Sequence, residues 1–205
     1  MTILNLTRKI LPKLSAESNN NIEAIKKMPE IVLNAMSKSG DTSIVQVGMN
    51  QCAAARITPN GINTIFTDGL AGCNSVGIVA KGLDGKPIAI LSHYTPLPKS
   101  LNLQVEAINK QLQTYGYFMD KQTKPTVFYN LRENFINENP IIPKVNGLLE
   151  SFFKQGINKQ ITPYQNSNRP AFFSSANIFQ FDKTNLNKLK ITNVGEKEQF
   201  IDLKF

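Results

Sequence analysis

Short runs of alternating or mainly apolar residues recur through the middle of the chain, and both patterns are typical of β-strands. Six such runs are predicted as strands, over residues 43–49, 53–57, 62–66, 74–80, 87–92 and 126–131. An Asp-Gly pair at 84–85 lies between two of these runs, and this dipeptide is typical of a tight hairpin turn. We therefore predict that residues 74–80 and 87–92 pair in antiparallel orientation.

Apolar positions spaced by three and four residues predict helices over 22–37 and 101–115, the second followed by Gly116, and a shorter helix over 145–156. Two more strands are predicted at 171–181 and 199–205, the latter as an edge or closing strand. Residues 1–21 are mostly polar and are interpreted as an N-terminal arm. The order predicts one α+β domain over residues 1–205, with a central mixed or antiparallel β-sandwich flanked by helices.

Charge and composition exclude several classes of protein. The 205 residues carry 23 basic and 15 acidic side chains, a net charge of +8, which favours acidic partners. The lysines are scattered and no RNA-binding aromatic motif accompanies them, so direct binding of nucleic acid is not expected. No apolar run is long enough to span a bilayer, and the first residues do not form a signal peptide. We expect a monomer that does not bind membranes.

Two cysteines and a single histidine exclude a disulfide framework and a four-ligand Cys/His zinc site. We therefore predict no metal site, and a reaction carried out by a thiol needs no organic cofactor. Cys52 is flanked by alanines and is interpreted as a core residue. The phenylalanines clustered in the C-terminal half are interpreted in the same way: Phe152, Phe153, Phe172, Phe173, Phe179 and Phe181.

Cys73 lies in a glycine-rich segment in which the backbone can bend sharply and direct amide groups at a bound oxygen. Gly72 and Asn74 are the predicted backbone supports of such an oxyanion site. His93 follows the second strand of the predicted hairpin, which returns the chain to the neighbourhood of Cys73. A neutral imidazole there can take the thiol proton and create a nucleophilic thiolate. Thr67 or Asp68 is the predicted residue that orients the ring.

Residues 67–73 read Thr-Asp-Gly-Leu-Ala-Gly-Cys, which resembles the Leu-Ser-Gly-Cys motif of the cysteine glutamine deamidases, with Ala71 in place of the serine. This family includes the cytotoxic necrotising factor catalytic domain, the chemoreceptor deamidase and the Burkholderia lethal factor, which the chain most resembles in size. The resemblance covers residues 67–93. It implies a cytotoxic necrotising factor-like fold in which Cys73 is the nucleophile, His93 the base and acid, and Thr67 the orienting residue.

The resemblance also implies a reaction and a partner. A protein glutamine deamidase converts one glutamine of a target protein to glutamate through a thioester, and the target would be a host translation factor or a small GTPase. The chain would be a bacterial toxin or effector acting in virulence, secreted or delivered into the host cytosol without a Sec-type signal, or otherwise cytoplasmic. Two alternatives stay open: another thiol acyl-transfer enzyme, a protease or transglutaminase, on the same pair, and a non-catalytic basic binding module.

Overall fold

The computed structural model describes residues 43–67, 70, 72–132, 139–164, 177–193 and 198–205. The arm predicted over 1–21 and the helix predicted over 22–37 lie outside the described residues, as do residues 171–176 of the predicted phenylalanine-rich strand.

The described residues form ten strands and two helices. In chain order they are β1 (Ile44–Gln46), β2 (Gln51–Arg56), β3 (Thr64–Thr67), β4 (Asn74–Lys81), β5 (Pro87–Tyr94), α1 (Pro98–Tyr115), β6 (Thr126–Arg132), α2 (Ile141–Phe152), β7 (Asn158–Tyr164), β8 (Asn177–Phe181), β9 (Lys188–Asn193) and β10 (Gln199–Asp202).

Two five-stranded sheets contain all of these strands. Sheet A has the order β1-β3-β8-β9-β10, and sheet B has the order β2-β5-β4-β6-β7. Each sheet is mixed, because β1 pairs in parallel with β3 and β6 pairs in parallel with β7, whereas the other pairings are antiparallel. The predicted α+β class with mixed sheets is therefore confirmed.

Side chains of β4 point alternately to the two faces of sheet B, and they show which face packs against the helices and which against sheet A. Val76 and Ile78 belong to the apolar cluster that includes the buried residues of α1 and α2. Val79, whose side chain points to the opposite face from Ile78, belongs to a second cluster shared with sheet A. Sheet B is consequently the middle layer, with helices on one face and sheet A on the other, and burial of each large apolar side chain stabilises this stack by roughly 1.5–3 kcal/mol.

A glycine brings the two sheets into close contact. A Cβ atom at Gly77 of β4 would lie 2.5 Å from Cζ of Phe179 in β8, a distance that no real side chain tolerates. The Phe179 ring is buried in this position and packs against Phe128 with a centroid separation of 5.2 Å. Phe153 and Phe181 are also buried and Phe152 is partly buried, so these four phenylalanines are core residues as predicted.

The hairpin around residues 84–85 forms as predicted. β4 and β5 pair antiparallel from Asn74 and Tyr94 to Lys81 and Pro87. Gly85 has a φ of +80°, a conformation that glycine adopts without strain. An ion pair between Arg56 and Asp84 ties this turn to the end of β2.

Two strands were not predicted, and the bounds of both helices differ from the sequence prediction. α1 begins at Pro98 instead of residue 101. β7 and β9 are not among the predicted strands; β7 lies at an edge of sheet B, where Pro163 is tolerated because one side of the strand needs no backbone donor. The predicted helix over 145–156 begins instead at Ile141 and ends at Phe152. Pro143 lies in its first turn, where the missing N–H removes no helical hydrogen bond.

Neither α1 nor α2, the two helices of the described ranges, is long and apolar enough to cross a bilayer.

Candidate active site

Cys73, His93 and Thr67 converge at one end of the sandwich. Thr67 is the last residue of β3 in sheet A, Cys73 directly precedes β4, and His93 is the penultimate residue of β5. Ser75 of β4 is the Cα partner of His93, and Cys73 precedes Ser75 by two residues, next to the end of the paired region. Thr67 and His93 are buried, and Cys73 is 7% exposed.

Hydrogen bonds of the Thr67 hydroxyl determine the tautomer of His93. Thr67 Oγ1 donates its single proton to the carbonyl oxygen of Val47, 2.6 Å away. The same oxygen lies 2.7 Å from His93 Nδ1 and must therefore accept a hydrogen bond from it. A neutral His93 consequently carries its proton on Nδ1, and its Nε2 lone pair is the one that can accept a proton.

Burial raises the pKa of Cys73 above its usual range, because the low-polarity surroundings disfavour the thiolate. Leu70 forms a small buried apolar cluster with it. A nucleophilic attack by Cys73 would therefore require a base that removes the proton during the reaction, and His93 is the residue predicted for that role.

The residues predicted to support an oxyanion have other contacts in the structure. Gly72 has a φ of +102°, and its N–H donates to the carbonyl of Leu70 at 2.6 Å. Asn74 Oδ1 accepts a hydrogen bond from Asn139 Nδ2 at 3.2 Å, on the helix-facing side of β4. An oxyanion role for the backbone of Gly72 and Asn74 stays a prediction. Asp68, the alternative orienting residue, lies outside the described residues.

Several buried polar residues at this end of the sandwich are not among the predicted site residues. Ser75 pairs laterally with His93 on one side and Asn130 on the other, and Asn177 pairs with Thr67 in sheet A. Asn177 Nδ2 donates to Ser75 Oγ across the two sheets at 3.3 Å. The sequence marks these residues only as polar positions in mainly apolar strands. A strand with one face in solvent has the same pattern, so this signal does not identify a site.

The arrangement fits acyl transfer by a thiol. It contains a thiol, an imidazole with a fixed tautomer and a neutral hydroxyl that orients the imidazole, which are the parts of a nucleophile, base and orienting residue. Within the part of the chain that the structure describes, no three His, Cys, Asp or Glu side chains group as metal ligands.

Comparisons with known proteins add little to this geometry. No family model matches the sequence, and no curated protein matches it. Among solved structures, the chain is similar to the C-terminal domain of CNFy from Yersinia pseudotuberculosis, with 9% sequence identity and a TM-score of 0.31. The match covers 77% of this chain and 61% of that one, less than two thirds of its length. A likeness this weak carries no argument about activity, and any assignment of a reaction depends on the site itself.

Proposed function

We propose that this protein is a protein glutamine deamidase in which Cys73 is the nucleophile, His93 the general base and acid, and Thr67 the residue that orients His93. The observation that carries the proposal is the 2.7 Å contact between Thr67 Oγ1 and His93 Nδ1. It leaves the Nε2 lone pair for proton transfer, and the pairing of Ser75 with His93, two residues from Cys73, supports the choice of this thiol. The resemblance of residues 67–93 to the cysteine glutamine deamidases supports the choice of substrate.

The reaction proceeds in two balanced halves. The Cys73 thiol gives its proton to His93 Nε2 while the sulfur attacks the carboxamide carbon of the glutamine. His93 returns this proton to the departing nitrogen, so ammonia leaves and a thioester remains. Water then attacks the thioester carbonyl and gives a proton to His93, which passes it to the departing sulfur. The net change is glutamine plus water to glutamate plus ammonia, with the thiol restored.

The substrate would be a glutamine on the surface of a folded protein. Cys73 is only 7% exposed, so a glutamine has to extend its side chain into the end of the sandwich. Leu97, after β5, and Met49, before β2, lie beyond that same end of sheet B and are 62% and 59% exposed. Exposed apolar side chains beside a buried reactive group favour contact with an apolar patch of a protein partner. By the resemblance, the partner is a host protein and the chain a toxin or effector.

The test is incubation of the purified protein with a panel of folded proteins that includes a translation factor and a small GTPase. Released ammonia and the intact mass of each panel member are measured, with Cys73→Ser as the matched control. A glutamine converted to glutamate only by the wild-type protein supports the proposal. Chain cleavage identifies a protease, incorporation of an added primary amine identifies a transglutaminase, and an effect that Cys73→Ser retains identifies a binding module.

A further inference from the structure

A second hydrogen bond crosses the sandwich beside the one that orients His93. Thr67 and Asn177 are Cα partners on neighbouring strands of sheet A, and His93 and Ser75 are Cα partners on neighbouring strands of sheet B. Thr67 bonds His93 at 2.7 Å, and Asn177 bonds Ser75 at 3.3 Å. The four residues thus form a rectangle in which two edges are strand pairings and two are hydrogen bonds between the sheets.

This rectangle is inside the protein. All four residues are at most 2% exposed, so water does not replace either hydrogen bond when it breaks. Both bonds are strengthened by the low local polarity, and a buried donor or acceptor that loses its partner is costly. Among the described residues, Asn177 Oδ1 is itself buried without a hydrogen-bond partner. This buried amide oxygen lowers the stability of the fold, and a residue with no role beyond packing rarely carries such a group.

The bond between Asn177 and Ser75 holds the distance that Thr67 has to bridge. Stacked sheets lie about 10 Å apart, and Thr67 has a short side chain with one rotatable bond to its hydroxyl. If the two sheets move apart at the level of these four residues, the Thr67 side chain is too short to reach His93. On the neighbouring row, the Phe179 ring against Gly77 limits how closely the sheets approach. The Asn177–Ser75 bond opposes their separation.

We propose that Asn177 and Ser75 are positioning residues for His93, which keep the Thr67 hydroxyl within hydrogen-bond distance of Nδ1 and thereby keep the proton on that nitrogen. In this proposal, neither Asn177 nor Ser75 contacts the reacting atoms. The effect on turnover rests on the proposed deamidase function, whereas the effect on the imidazole does not. Loss of the pair weakens the Thr67–Nδ1 hydrogen bond, and since the tautomer of a histidine is set by such a bond, the ring then exchanges tautomers and orientation.

The chain supplies a matched control on the opposite face of the same sheet. Ser92 of β5 is buried and accepts a hydrogen bond from the buried amide of Gln104 in α1 at 2.9 Å. Ser75 likewise accepts from the buried amide of Asn177. Ser75→Ala and Ser92→Ala therefore each remove a buried hydroxyl that accepts a hydrogen bond from an amide, and Ser92 also donates to the carbonyl of Val76 at 3.2 Å. Only Ser75 belongs to the rectangle.

The experiment is nitrogen NMR of the imidazole, which is unambiguous because His93 is the only histidine of the chain. Uniformly ¹⁵N-labelled protein is studied at a pH where the ring is neutral. The wild-type protein and Ser92→Ala are expected to show a protonated Nδ1 and an unprotonated Nε2. Ser75→Ala is expected to show averaged nitrogen shifts of a mixed tautomer. Its kcat for deamidation should fall about ten- to a hundredfold with little change in KM.

Each outcome decides the proposal. It is overturned if the wild-type ring carries its proton on Nε2, if Ser75→Ala leaves the imidazole spectrum unchanged, or if Ser92→Ala alters that spectrum as much as Ser75→Ala. If Ser75→Ala does not fold, Asn177→Leu removes the donor from the other sheet at similar volume and is judged by the same spectrum. A shift of tautomer in a protein without deamidase activity supports the positioning role and rejects the proposed function.

Discussion

Replacing Thr67 by valine removes one hydroxyl from the interior and keeps the branched side chain that suits a strand. The change deprives two groups of their partner: the carbonyl of Val47 and Nδ1–H of His93. Thr67 is completely buried, so water does not replace the hydroxyl. The substitution therefore tests the orientation of His93 without removing any residue that would touch the substrate.

The expected loss of stability follows from these two bonds. A typical buried hydrogen bond contributes about 1 kcal/mol, and leaving a buried partner unpaired costs about 1–3 kcal/mol, so Thr67→Val should destabilise the fold by roughly 2–4 kcal/mol. This is less than the roughly 5–15 kcal/mol of a typical domain, so the variant should stay folded. Its kcat should fall on the order of 100-fold or more, because a misoriented base loses most of its effect.

Urea unfolding and the rate of ammonia release measure the two effects separately. Thr67→Ser keeps the hydroxyl and should retain activity within about tenfold of wild type, since it loses only a methyl group of packing. Thr126→Val makes the same exchange as Thr67→Val at a buried threonine of β6, at the opposite end of sheet B. It should leave kcat unchanged.

Wild-type turnover in Thr67→Val would refute the orienting role, even if the fold lost the expected stability. Equal loss of activity in Thr67→Val and Thr67→Ser would also refute it, because the hydroxyl would then not be the group that matters.

Cys73→Ser should abolish deamidation while changing the free energy of unfolding by less than about 1.5 kcal/mol, since volume is nearly kept and an alcohol is a far weaker nucleophile; measurable wild-type turnover would exclude Cys73 as the nucleophile. Because burial raises the pKa of Cys73, its alkylation by iodoacetamide, followed by peptide mass spectrometry, should rise with pH through a midpoint above the roughly 8.5 of a free thiol. A reaction rate that is already maximal at pH 7 would contradict this. Gly72→Ala should destabilise the fold by about 1 kcal/mol or more because of its φ of +102°, whereas Gly147→Ala, in the exposed interior of α2, should stabilise it by about 1 kcal/mol in urea unfolding. Leu97→Lys should raise KM for a protein substrate, and Leu83→Lys, at a 60% exposed leucine in the turn at the far end of the hairpin, should not; equal KM values for the two would remove Leu97 from the docking surface.

Local sequence patterns predict those elements of the fold that depend mainly on interactions between neighbouring residues. The Asp-Gly turn and its flanking apolar runs predict the β4–β5 hairpin, and the spacing of apolar residues predicts most of α1. β7 escapes prediction because an edge strand need not be apolar on both faces, and its Lys159 and Pro163 are typical of loops. The start of α2 is misplaced because Pro143 resembles a helix breaker, although proline is well tolerated in a first turn.

The candidate site divides in the same way. Cys73 and His93 are brought together by one hairpin, so their proximity follows from the short stretch of sequence between them. Ser75 and Asn177 are 102 residues apart in sequence and meet only because the two sheets stack. No local sequence pattern predicts this contact, and an isolated asparagine such as Asn177 is equally typical of a turn.

Sheet A supplies Thr67, whereas sheet B supplies His93 and begins directly after Cys73, so the orientation of His93 requires that both sheets are folded and stacked. A hairpin such as β4–β5 forms in about 1–10 μs and already brings the thiol and the imidazole to neighbouring strands. Until β3 stacks on it, the ring can turn and either nitrogen can carry the proton. If the protein is the proposed deamidase, an emerging or partly unfolded chain has the thiol and the imidazole but lacks the oriented base, so it does not react with amide groups of other proteins.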